Sequence, residues 1–265
     1  MKRREQLEWI GHYIATVPPK SELISDLRSV YEVVTLYGSN SGLGTSMEGI
    51  GLLGGPFKVL PTTGTQLEVV SSSSNDTAAG TGMRTMRIVY ETTDHTVASE
   101  DITLNGTGAV TTTATNITYL YPHLCHGLTY GSTGLANGNI DMQVVSAAGV
   151  VERIVAGRKG LVKSARNRVP PGHTGFVFDW SVGMAGAEVA EFALCHDWDA
   201  RTGDHLESTV VRYMLDGVSS GWVTQELALP MVLPEKTNIE ITGMRLGSSD
   251  AAGAASLDLI LVPNS

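Results

Sequence analysis

The chain has 265 residues, a formal net charge of −9, 30 glycines, two cysteines and only 17% charged residues. It is long enough to bury a substantial core. Two cysteines do not make a secreted disulfide framework, no apolar run of about 18 residues signals a transmembrane helix, and the acidic balance argues against general nucleic-acid binding.

The first element is helical. Leu7, Ile10 and Ile14 share one helical face, and Pro18 and Pro19 end it. A second short helix is expected from Ser21, with Leu23, Ile24 and Leu27 as its apolar side. Lys2, Arg3 and Arg4 open the chain, but Glu5, Glu8 and His12 break the apolar stretch that a secretory signal needs. The β-branched run Val30 to Tyr37 and the glycine-rich stretch Gly38 to Gly55 read as an extended segment. Residues 1–58 are therefore expected to form an N-terminal arm that orders against a neighbouring subunit.

Strand patterns begin near Pro61. Gln66 to Ser71 is a short strand, and Ser71 to Gly82 a polar loop. Arg84, Met86 and Ile88 alternate with Thr85, Arg87 and Val89. Ser99–Leu104 and Ala109–Thr113 flank Asn105-Gly106, the residue pair expected at a type I′ hairpin turn. Further strands are expected at Asn116–Tyr121, Ile140–Val145 and Val151–Val155, giving a first β-sandwich over residues 59–168. Its last stretch, Arg153 to Arg168, holds six of the 18 basic residues. It reads as a solvated connector, or else as a contact for nucleic acid or an acidic neighbour.

The chain restarts at Pro170-Pro171-Gly172. Residues 169–265 carry 13 acidic and four basic side chains, a net of −9, whereas residues 1–168 balance 14 against 14. Phe176, Phe178 and Trp180 are expected on one strand face. Ala190, Phe192 and Leu194 alternate with Glu191, and Leu257, Leu259 and Leu261 with Asp258. Val210–Leu215, Trp222–Leu229 and Asn238–Thr242 complete a set spaced as in a sandwich or jelly roll. The expected fold class is all-β: two sandwich or jelly-roll-like units, 59–168 and 169–265, behind the arm.

Few residues carry chemistry. Gly217-Val218-Ser219-Ser220-Gly221 fits the nucleophile-elbow pattern, but the elbow requires a helix after the serine. Here both flanks read as strands, so a hairpin loop is expected. His123, Cys125 and His126 form one ligand-like group, and Cys195, His196 and Asp197, with Asp199 and His205, another. Neither has zinc-site spacing. Asp197, Asp199 and Asp204 around Arg201 lack the EF-hand spacing for calcium. No phosphate-cradling glycine motif is present. The sequence thus assigns no catalytic residue, no cofactor and no metal, and the chain is expected not to be an enzyme. Trp198 and Trp222 lie near loop ends, either as core or interface residues or as glycan contacts.

Residues 67–82, from Leu67-Glu68-Val69-Val70 through Ser74-Asn75-Asp76-Thr77 to Thr81-Gly82, then Arg84-Thr85 and Thr103-Leu104-Asn105-Gly106-Thr107, resemble a block in virion structural proteins of tailed phages. Gly131-Ser132-Thr133-Gly134-Leu135-Ala136-Asn137-Gly138 is similar to the tract that follows in those proteins, and Val169-Pro170-Pro171-Gly172 and Leu233-Pro234-Glu235-Lys236 are similar in kind to their C-terminal halves. The likeness spans roughly residues 60–262. It implies a non-enzymatic virion component assembled in the host bacterial cytoplasm. The first expectation is a head decoration or cement protein, a homotrimer seated on the major capsid protein. The alternative is a tail, baseplate or host-receptor component that binds carbohydrate. Neither implies a small-molecule substrate, a membrane or nucleic acid.

Overall fold

Alternation dominates the local structure. Apolar side chains at every second position are buried along Val34 and Leu36, Met86, Ile88 and Tyr90, Ile239 and Ile241, and Leu257, Leu259 and Leu261, as half-buried strands require. In the computed structural model the described residues are 31–51, 60–146, 149–185, 188–197, 209–247 and 251–264. The two helices expected before residue 30 lie outside them.

Seventeen strands and one single-turn 3₁₀ helix (Pro122–Leu124) occur among these residues. The first are β1 (Glu32–Asn40) and β2 (Glu48–Gly49). A middle group follows: β3 (Leu67–Ser71), β4 (Met83–Thr92), β5 (Val97–Thr103), β6 (Val110–Thr111), β7 (Ile117–Leu120), β8 (His126–Tyr130), β9 (Ile140–Val144) and β10 (Val150–Ile154). The last group is β11 (Arg166–Arg168), β12 (His173–Ala185), β13 (Ala190–Asp197), β14 (Thr209–Val218), β15 (Gly221–Leu233), β16 (Asn238–Arg245) and β17 (Ala252–Pro263).

The outer groups combine into one sandwich. One sheet has the order β1-β17-β12-β15 and the other β11-β16-β13-β14, with β2 also on β16. β2 and β11 are two pieces of one strand. Gly49 pairs with Thr242 and Arg166 with Glu240. Between them Ile50 N–H donates to Ile241 O at 3.0 Å, and Ile241 N–H to Ala165 O at 2.9 Å. With those pieces counted as one, the strands run 1-8-3-6 and 2-7-4-5. This is the strand order of a jelly roll. The middle group is inserted where the second strand is broken.

The insert is its own antiparallel sandwich. β4 carries β5 on one side and β7 and β8 on the other, and faces the sheet β10-β9-β3-β6. Two separate apolar clusters result. One spans Leu60 to Val162. The other joins Val34, Leu36, Leu43 and Ile50 to residues from Ala165 to Leu261.

The all-β expectation with two sandwich units holds, and four finer expectations are corrected. First, residues 32–51 are not part of an arm. Val34 and Leu36 point into the jelly-roll core, β1 pairs along its whole length with β17, and Gly38 touches the split strand so closely that a Cβ there would meet Ile50 O at 1.8 Å. Second, Asn105-Gly106 is not a two-residue hairpin. β5 pairs with β4 and β6 with β3, so the chain changes sheets there, and only Gly106 has a positive φ (+62°). Third, Phe176 and Phe178 do not share a face with Trp180. A β-bulge between Val177 and Trp180 resets the alternation, and the buried set is Val177, Trp180 and Val182. Fourth, Gly217–Gly221 is a crossing rather than a hairpin, because β14 pairs with β13 and β15 with β12.

Candidate functional site at the junction and the open edge

Three places gather polar or apolar side chains in ways that the core does not require. The first is a buried carboxylate. Asp76 sits in the loop after β3. Its Oδ1 accepts from Met83 N–H (2.8 Å) and Asn137 N–H (3.0 Å), and its Oδ2 from Ser71 Oγ (2.6 Å) and Gly138 N–H (2.8 Å). Gly82 packs so tightly here that a Cβ would lie 2.0 Å from Asp76 Oδ1. Thr133 N–H and Oγ1 both donate to Thr81 O, at 3.0 and 2.8 Å. The two glycine- and serine-rich tracts, 71–82 and 131–138, therefore meet in space around one carboxylate.

The second place is the junction between insert and jelly roll. Arg166 and Arg168 extend from β11 into the insert. Arg166 Nε donates to Glu152 at 2.7 Å. Arg168 Nε donates to Asn238 at 2.8 Å, and its Nη1 approaches Glu91 at 3.4 Å. Its guanidinium stands 4.4 Å from the Tyr119 ring centroid, within cation–π range. Glu91 has no exposed side-chain surface and also accepts from the Tyr121 hydroxyl (2.9 Å), with His95 Nδ1 at 2.8 Å. Burial, with Glu91 alongside, pushes the Tyr121 phenol far above its ordinary range. Burial also pushes the Glu152 carboxyl up, against the pull of Arg166. Both pairs are desolvated, so losing one partner costs more than the pair contributes.

This corrects the reading of Arg153–Arg168 as a solvated connector. Arg153 pairs with Asp141 (Nη2–Oδ2 2.8 Å), and Arg166 and Arg168 are buried. Lys163 lies 5.2 Å from the Tyr37 ring centroid, while Arg158 and Lys159 face solvent. Arg166 and Arg168, at the end of the basic run, fasten the two units together.

A cavity of about 120 Å³ opens beside this network. Leu60 and Thr62 line it from the start of the insert, Thr93 and His95 from the β4–β5 turn, and Thr118 from β7. Arg168 and Lys236 line it from the jelly roll. His95 (φ +60°) and Lys236 (φ +67°) are two of the three non-glycine residues with positive φ among those described. Such backbone costs of order 1–3 kcal/mol and clusters at functional sites.

The third place is an open edge. Among the described residues, β14 and β15 are the last strands of their sheets on the same side of the sandwich. They expose Tyr213, Met214 (51%), Trp222 (57%), Val223, Leu229 (68%) and Val232. Trp222 packs against Gly183, where a Cβ would come within 2.9 Å of the indole.

The structure keeps the ligand-like groups of the sequence apart. Cys125 is buried in the insert, receiving Val89 N–H at 3.4 Å and donating to Tyr121 O at 3.2 Å, and burial pushes its thiol up to about 12. Cys195, buried in the jelly roll beside Thr242, is pushed up to about 11 by burial. Thiols held so far above neutrality are poor nucleophiles and poor ligands. Burial pulls His123 down to about 4. His126 Nδ1 contacts Leu124 O at 2.7 Å, and His196 and Asp197 are buried on β13. Trp198, Asp199, Arg201, Asp204 and His205 lie outside the described residues. Among those described, no three His, Cys, Asp or Glu side chains gather as a metal site. Ser219 is exposed between two strands, with no helix after it. Sequence reasoning missed Asp76, Glu91, His95 and Lys236. Asp76 is held by Asn137 and Gly138, 61 and 62 positions away, and Glu91 by Tyr121 and Arg168, 30 and 77 positions away, so spacing carried little signal.

No family model matches the chain, and no curated protein does. Among solved structures it is similar to the protein of infectious bursal virus-derived T=1 particles, with 10% identity, coverage of 88% of this chain and 70% of that one, and a TM-score of 0.23. The isomaltodextranase of Arthrobacter globiformis T6 gives 13% identity, coverage of 87% of this chain and 34% of that one, and a TM-score of 0.23. A tandem CBM22 domain pair from Paenibacillus barcinonensis gives 9% identity, coverage of 88% and 94%, and a TM-score of 0.21. The neighbours thus include both viral particle proteins and carbohydrate-binding modules. The superpositions are loose, and neither family nor function follows from them.

Proposed function

We propose that this chain is a non-enzymatic structural subunit of a tailed-phage virion, most simply a head decoration or cement protein, and that β14 and β15 join it to further copies of itself. The observation that carries the reading is the open edge. Among the described residues, two neighbouring edge strands bear six large exposed apolar side chains. These are more than Asp216 of β14 and Glu226 and Pro230 of β15, the kind of residue that blunts an edge, can screen. A row of unpaired backbone groups next to an apolar surface is a template for strand addition. A patch that meets its own copy about a rotation axis closes into a ring or dimer. The jelly roll is in keeping with this, since viral capsid and lectin domains both use it, although fold alone does not fix function. The resemblance of residues 60–262 supplies the phage assignment.

Quantitative mass spectrometry of purified particles tests the reading. A decoration protein is present at a copy number comparable to the capsid lattice positions, and a tail part at a small fraction of it. Absence of the chain from washed particles overturns the proposal. One feature favours a second reading, in which the chain binds glycans on the host: the Trp222 indole packs against Gly183 and is 57% exposed, and an exposed aromatic side chain is a surface on which a sugar ring can stack. Titrating host-surface glycans against tryptophan fluorescence, with Trp222→Ala as control, tests it. No quenching, or equal quenching in the variant, rejects that reading.

A further inference from the structure

The geometry points to the junction cavity as a binding site for a small oxyanion, a phosphate or carboxylate group held between the insert and the jelly roll. The chain carries 27 acidic and 18 basic residues, yet the cavity is lined by Arg168, Lys236, His95 and three threonines, with no carboxylate. Cationic groups in a concave, low-dielectric wall focus potential and concentrate counter-ions. Three acids adjoin this lining: Glu91 lies behind it with its oxygens engaged by Tyr121, His95 and Arg168, and Asp94 and Glu235, chain neighbours of lining residues, accept from Thr92 Oγ1 and Gly172 N–H.

Arg168 is built for the task. Its side chain is only 6% exposed, so it cannot discharge into bulk water. A guanidinium has five N–H donors; here Asn238 takes the one on Nε and Glu91 one on Nη1. The remaining donors belong to a planar fork that suits an oxyanion. Tyr119 behind the ring plane and Asn238 beside it fix the fork in place. Lys236 adds a point charge. Its turn is anchored by its own N–H to Val169 O (2.7 Å) and by Val169 N–H to Thr237 O (2.9 Å), which keeps it next to Arg168. Thr62 and Thr93 add hydroxyls from the opposite unit.

The size fits as well. About 120 Å³ is below the 300–1,000 Å³ typical of drug-sized ligands and suits a tetrahedral anion or a carboxylate. Because the lining comes from both units, the bound anion ties them together and stabilises the folded chain by mass action.

Isothermal titration calorimetry on the full chain, at constant ionic strength to remove general screening, tests the site with two probes, inorganic phosphate and acetate. Lys236→Asn removes the charge, and asparagine tolerates the positive φ; Thr62→Val removes a hydroxyl at an exposed position. Saturable binding of phosphate alone identifies a phosphate site, of acetate alone a carboxylate site, and of both a general oxyanion site. In each case Lys236→Asn weakens binding at least about tenfold and Thr62→Val severalfold, with circular dichroism unchanged. No heat from either probe up to about 50 mM, well above any useful affinity, overturns the inference. So does binding that Lys236→Asn leaves intact.

Discussion

The insert and the jelly roll solve the same problem differently. The insert is one unbroken stretch of chain, closed around its own apolar cluster and tied by the Asp76 carboxylate. The jelly roll is assembled from two stretches of chain, whose pieces of one strand meet where Ala165 N–H donates to Ile50 O and Gly51 bridges Ser164. Among the described residues it also leaves β14 and β15 without a strand beyond them. A unit that closes on itself is suited to stand as a rigid body, and a unit with an unfinished edge is suited to join neighbours.

The contrast breaks most visibly on truncation. Removing residues 1–51 deletes Val34, Leu36, Leu43 and Ile50 from the jelly-roll core. At about 1.5–3 kcal/mol per buried aliphatic side chain, the loss rivals the total stability of a domain. The remaining jelly roll is expected to unfold, whereas residues 60–162 expressed alone should give a cooperative melt. A truncated chain whose jelly-roll amides keep their hydrogen-exchange protection would show that β1 is dispensable.

Asp76→Ala should be the most damaging single change inside the insert. It leaves Met83, Asn137 and Gly138 N–H groups buried without their acceptor, a loss of about 3–5 kcal/mol when summed at about 1–3 kcal/mol per orphaned donor with partial relaxation. The chemical denaturation midpoint of the insert should fall while that of the jelly roll holds.

At the junction a double-mutant cycle is informative. Arg166→Met or Glu152→Met alone strands a buried charge and should cost about 3–5 kcal/mol, whereas the double replacement should cost far less. Additive losses would show that the pair is hydrated rather than buried.

The pairings across the junction were the least legible part of the sequence. Alternation revealed Met86 and Ile88, Ala190 to Leu194 and Leu257 to Leu261, because a half-buried strand writes a period of two directly into the chain. It could not reveal that residues 48–49 and 166–168 complete one strand, since strand partners are set by tertiary closure. Arg153, Arg166 and Arg168 looked like part of a solvated run because their acids, Asp141, Glu152 and Glu91, lie on other strands. The bulge after Val177 reversed the expected faces of Phe176 and Phe178 for a related reason: one inserted residue shifts every side chain beyond it.

A smaller effect concerns acidity. His123 belongs to the insert, and its folded pKa is pulled by burial to about 4 from 6.5. Between those values the unfolded chain takes up a proton that the folded chain refuses. Stability from this residue is complete above pH 6.5 and falls as pH drops toward 4, by on the order of 3 kcal/mol at most. His123→Phe should flatten that part of the pH profile of the insert's melting temperature. An unchanged profile would mean that the ring is charged in the fold.

The open edge carries the functional account, and sedimentation equilibrium tests it most directly. The full chain should behave as a concentration-dependent oligomer. Met214→Lys combined with Leu229→Lys should give a monomer with the same circular dichroism spectrum, since both side chains are more than half exposed and add nothing to the core. A wild-type chain that remains monomeric at every concentration, or a double variant that associates as strongly as the wild type, would contradict the account.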